Sequence, residues 1–82
     1  MITAQTSLNE LFELAKEATH EVTSGEVFIV KDLFRGFEWN RIPKGTRTKL
    51  GSMYFAYAQN EGNNDLDPLG KTPQNQQQYK KI

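Results

Sequence analysis

Cysteine is absent from this sequence, which rules out a disulfide framework and any thiolate metal site and makes a reducing cytoplasm the expected location. Histidine is nearly absent too. His20 stands alone, with no second histidine or cysteine to complete a metal site or an activated nucleophile. The glycine-bearing run Gly45-Thr-Arg-Thr-Lys-Leu-Gly51 lacks the spacing of a phosphate-cradling loop. No apolar run approaches a membrane span, and the N-terminus lacks the basic-then-apolar order of a secretory signal. No enzyme is expected, hence no catalytic residue, no metal ligand, no cofactor and no membrane partner. At 82 residues the chain is read as one domain over 1–82, with 1–6 as a loose lead-in.

Net charge is also missing, since ten basic residues balance ten acidic ones. The balance hides a division. Residues 1–40 hold three cations against seven acids, and residues 41–82 hold seven cations against three acids. A charge difference between halves points to a directed electrostatic face.

Hydrophobic periodicity supplies the elements. Ser7 followed by Glu10 reads as a capping box, and Leu8, Leu11, Phe12, Ala15, Ala18 and Val22 recur at helical spacing behind it. Thr23-Ser24-Gly25 gathers poor helix formers, so this helix should end between Thr19 and Thr23. Val27 to Val30 suits a short strand or the start of a helix, and Lys31 to Phe34 a turn or two of helix stopped at Gly36. Phe37, Trp39 and Ile42 then fall in a connection that their bulk should pin to the core.

The most legible segment follows. Pro43 suits the start of a helix, and from there to Asn60 the residues Leu50, Met53, Tyr54, Tyr57 and Ala58 share one face. Lys44, Thr48, Ser52 and Gln59 share the other, where Phe55 is the exception and marks a partner or dimer contact. Gly51 in mid-helix costs about 1 kcal/mol relative to alanine, which a close approach by another helix or by DNA would offset. Glu61-Gly-Asn-Asn64 ends the helix. Leu66 to Gly70 and Gln76 to Lys81 read as a hairpin around a turn at Lys71–Asn75, with Tyr79 facing the core and a disordered tail as the competing reading.

This order, an α+β fold that is mainly α with three helices and a C-terminal β-hairpin, is that of a winged helix-turn-helix. The core is expected to be single, built on Leu8, Leu11, Phe12, Phe28, Leu33, Phe34, Trp39, Leu50, Tyr54 and Tyr57.

The stretch V-K-D-L-F-R-G-F-E-W-N-R-I-P-K-G-T-R-T-K-L-G-S-M-Y-F, followed at a distance by L-G-K-T-P-Q-N-Q-Q-Q-Y, resembles a family of small, mostly uncharacterised proteins of Gram-positive bacteria and their plasmids and phages. Its core is W-N-x-I-P-x-G-x-R-x-x-L-G, and Met1 to Ser24 falls outside the recognisable part. The resemblance implies a winged-helix-like module of mobile elements and assigns no residue a role.

From the residues themselves, double-stranded DNA is the expected partner. Lys44, Thr48 and Ser52 lie four apart on one helix face, with Arg47 and Lys49 near the same end. Arg41 and Lys71 would grip phosphates on either side, and Gln74 and Asn75 at the hairpin tip suit phosphate or minor-groove contact. So small a module buries little surface alone, so a homodimer or a host protein is expected beside the DNA. The protein would then be a small transcriptional regulator or accessory factor of a phage or plasmid. Two alternatives stand: a phage-encoded inhibitor or adaptor using the acidic first helix, with Glu10, Glu13, Glu17 and Glu21, against a basic host surface, and a relaxosome accessory protein serving plasmid transfer.

Overall fold

The computed structural model describes residues 2–82. Three α-helices, α1 (Leu8–Thr19), α2 (Gly36–Arg41) and α3 (Lys44–Gln59), pack with strands β1 (Val27–Ile29), β2 (Leu66–Lys71) and β3 (Gln77–Lys81). The strands form one antiparallel sheet in the order β1-β3-β2. This is an α+β fold.

Ser7 caps α1 by accepting the Glu10 N–H on its hydroxyl at 3.2 Å, the hydroxyl half of the expected box. The helix stops at Thr19, where its end tightens to three-residue spacing through His20 N–H to Glu17 O and Glu21 N–H to Ala18 O. Val27 to Val30 then divides. The first residues form β1, and Val30–Leu33 turns into a 3₁₀ helix, held at the change-over by the Ile29 N–H donating to the Asp32 carboxylate at 3.0 Å.

Gly36 opens α2 instead of stopping a helix, and the expected aromatic connection is itself helical. Glycine is a poor helix former, so local propensity favoured a break, but helical spacing lets Trp39 and Ile42 reach the core together. Ile42 is buried and Trp39 half-buried, 5.7 Å from the Phe34 ring. Phe37 is not pinned to the core. It is 51% exposed, with the Arg41 guanidinium over its ring at 5.0 Å.

The expected single core is two clusters. One joins Ala15, Phe28, Tyr54, Ala58, Leu66 and Tyr79, and the other joins Ile2, Leu11, Ile42 and Leu50. Val30 and Phe34 pack against both. Ile2 also corrects the expected loose lead-in, because its side chain is buried, its N–H donates to the Glu38 carboxylate and its carbonyl accepts from Arg41.

The hairpin is ordered. Thr72 N–H to Gln76 O and Asn75 N–H to Thr72 O close the turn, and Asn75 takes a left-handed φ of 64° that asparagine tolerates. Pro68 lies within β2 and not at the turn, which works because β2 is an edge strand. A register shift between Pro68 and Lys71 adds a bulge there, bridged by the Gln77 side-chain amide donating to the Leu69 carbonyl.

Two tyrosines join helix to sheet. Tyr54 and Tyr79 are fully buried, edge to face at 5.0 Å, and Phe28 lies beside both. The Thr19 hydroxyl donates to Ala15 O, so the Tyr54 hydroxyl donates to Thr19 Oγ at 2.6 Å. The Tyr79 hydroxyl has no hydrogen-bond partner among the described residues.

Ile2→Ala should cost about 2–5 kcal/mol by urea denaturation, whereas an unchanged midpoint would mean a loose N-terminus. Burial pushes the Tyr54 phenol up to about 12 and moves Tyr79 in the same direction. The folded chain then holds protons that the unfolded chain releases near pH ~10. The contribution of these two phenols to stability should therefore be level below about pH 10 and fall as pH rises from there toward about 12. Titration of denaturation midpoints against pH checks this; a rise in stability over that window contradicts the packing.

Candidate nucleic-acid interface

α3 rises from Pro43, whose extended backbone (φ −57°, ψ 145°) sets the helix start without a side-chain cap. Leu50, Tyr54 and Ala58 face the core, which turns Lys44, Thr48, Ser52 and Phe55 toward the hairpin. Because Tyr79 anchors β3 under α3, the β2–β3 turn stands beside the helix and not away from it. Between them lies a groove of about 910 Å³.

Of the nine residues expected to meet DNA, Lys44, Arg47, Thr48, Ser52, Lys71, Gln74 and Asn75 line this groove. They come from two separate stretches of chain. Among the described residues no aspartate or glutamate lines it. Its cations are Lys31, Lys44, Arg47 and Lys71, and none of them takes part in an ion pair among the described residues. Uncompensated positive charge in a concave surface focuses potential and draws anions.

Two expected contacts lie elsewhere. Arg41 donates to the Ile2 carbonyl at 3.0 Å and covers Phe37, so it ties the N-terminus to α2. Lys49 is exposed on α3 and does not line the groove. Arg47 is partly committed as well: its Nε donates to the Ile42 carbonyl at 2.9 Å and its guanidinium lies 5.3 Å from the Trp39 ring. That arrangement locks the corner between α2 and α3.

Lys31 is the cation that the sequence reading missed. It follows β1, and the pairing of Ile29 with Gln78 carries it to the base of the hairpin. Nothing in the local sequence announces that long-range pairing. Ile29, Val30, Trp39, Gln76, Gln77 and Tyr79 also line the groove, together with Phe55, which the sequence set apart as a contact residue.

Gly51 also faces the groove, and a methyl built there meets nothing within 4 Å. Among the described residues no helix packs against this glycine, so helix packing, one of the two compensations expected for it, is not made. Gly51→Ala should therefore stabilise the chain by up to about 1 kcal/mol, read as a higher thermal midpoint. A lower midpoint would mean that the site is crowded in the fold itself.

Among the described residues no three histidine, cysteine, aspartate or glutamate side chains gather as a metal site, and no helix is long and apolar enough to cross a membrane.

No curated protein and no solved structure matches the chain. A family model described as "Domain of unknown function (DUF1413)" matches residues 13–81. The match begins within α1, earlier than the resemblance read from the sequence, which starts beyond Ser24. With most of its length matched, the chain belongs to the DUF1413 family.

Proposed function

We propose that the chain is a winged helix-turn-helix protein that binds double-stranded DNA, with α3 as the recognition helix and the β2–β3 hairpin as the wing. It is no enzyme in this reading, but a small cytoplasmic regulator or accessory factor of a phage or plasmid. One observation carries the reading: a groove without acidic residues gathers cations and short polar side chains from α3 and from the hairpin. The order helix, strand, helix, helix, strand, strand, with the first strand paired to the last, supports it.

The physics of binding follows from the groove. Lys31, Lys44 and Lys71 are exposed at its edges, where each would neutralise a phosphate and release a counterion. Thr48 and Ser52, exposed on the same face of α3, are short enough for base edges. Arg47 acts by holding α3 against α2, which keeps those side chains in register.

Fluorescence anisotropy with random duplex DNA across a salt series tests the proposal. Affinity should fall with a log–log slope of about −0.9 per phosphate neutralised. Lys44→Ala and Lys71→Ala should each flatten the slope by about one unit. Lys80→Ala should not, since Lys80 adjoins buried Tyr79 in β3 and so points to the opposite sheet face. Folded protein that binds no duplex at low salt rejects the reading and moves the protein-inhibitor alternative to first place.

A further inference from the structure

A second groove, of about 660 Å³, runs between α1 and the segment from Leu33 to Glu38. We propose that it is a docking site for a basic amphipathic helix of a partner protein. The inference stands apart from DNA binding, because none of the described residues lines both grooves.

The floor is apolar. Leu14, Ala18, Leu33 and Phe34 contribute to it, and Leu14 is 40% exposed on α1. The rim is mainly acidic, with Glu10, Glu13 and Glu17 at spacings of three and four along α1, Glu21 just past its end and Glu38 on the facing wall, where Arg35 is the one cation among the described residues. Some of that charge is used within the fold. Glu13 pairs with Lys16 at 2.7 Å, and Glu38 accepts from the Ile2 N–H while lying 3.9 Å from Arg35. Glu10, Glu17 and Glu21 take part in no ion pair among the described residues.

Like charges at these helical spacings repel and destabilise the free chain, so an occupant that supplies cations relieves a strain the fold carries. The chemistry then narrows the occupant. A metal ion finds no cluster of carboxylates close enough to hold it among the described residues. Nucleic acid and anionic membranes carry the wrong sign. A hydrophilic cation leaves the apolar floor wet. A helix with an apolar stripe between lysines or arginines satisfies floor and rim at once, and laying such a helix between two walls is an established mode of peptide recognition. The helical part of the acid stripe, Glu10 to Glu17, spans roughly 10 Å at 1.5 Å per residue, about two helical turns, and Glu21 follows just past the helix end.

The test uses the whole chain and a synthetic peptide of roughly 14 residues, long enough to match the stripe, with leucines on one helical face and lysines beside them. A scrambled peptide of equal composition and a glutamate-for-lysine version are the controls. The amphipathic basic peptide should bind by anisotropy at low salt, at least about tenfold more tightly than the scrambled one. Amide shifts in the unaltered protein should fall on α1 and residues 33–38 and spare α3 and the hairpin. Leu14→Gln and Glu17→Lys, both at exposed positions, should each weaken binding about tenfold with unchanged circular dichroism. Equal binding of the scrambled peptide, shifts centred on the hairpin, or no binding at all overturns the proposal. Self-association in sedimentation that Glu17→Lys abolishes would assign the groove to a second copy and overturn it too.

Discussion

The contact between Tyr54 and Tyr79 organises this molecule. A two-stranded hairpin is marginal in water on its own, and β2–β3 is polar along most of its length. What holds it is β3 placing Tyr79 under α3, edge to face with Tyr54 at 5.0 Å and beside Phe28 of β1. Aromatic pairs of this kind contribute about 0.5–1.5 kcal/mol beyond the area they bury. The Tyr54 hydroxyl reaches Thr19 as well, so one side chain ties α3 to α1 and to the sheet.

The basic groove is a consequence of that anchoring. With Tyr79 inside, strand alternation turns Lys80 to the opposite sheet face, while Lys71 and the turn stand beside α3. The hydrogen bond from Arg47 to Ile42 and its stacking on Trp39 set the angle between α2 and α3 from the other side. A cation of the groove thus also serves as a brace, and its loss would move the lysines near it.

The 3₁₀ turn and α2 form the partition between two grooves of opposite character. Lys31 and Trp39 line the basic one, whereas Leu33, Phe34 and Glu38 line the acidic one. Zero net charge therefore conceals two separated fields of opposite sign. At physiological salt the Debye length is about 8 Å, so each groove presents its own sign to an approaching partner. A binding surface for an anion and one for a cation coexist without cancelling.

The sequence by itself determined the elements whose signals are local. Ser7 and the apolar period of α1, Pro43 and the stripe Leu50, Tyr54, Ala58, and the polar strands around the Lys71–Asn75 turn all rest on backbone preference and periodicity between near neighbours. The residues that α3 presents opposite its core face were legible for the same reason. α2 was not, because Gly36 signals a break and only the burial of Ile42 and Trp39 makes a helix there worthwhile. Nor was the docking of Ile2, since its partners Glu38 and Arg41 lie far along the chain. Tertiary structure alone decided which cations share a surface: it brought Lys31 in through the pairing of β1 with β3, turned Arg41 to the Ile2 carbonyl, and left Lys49 outside. Charge and period are written residue by residue, but a groove exists only where distant segments are brought side by side by what they bury together.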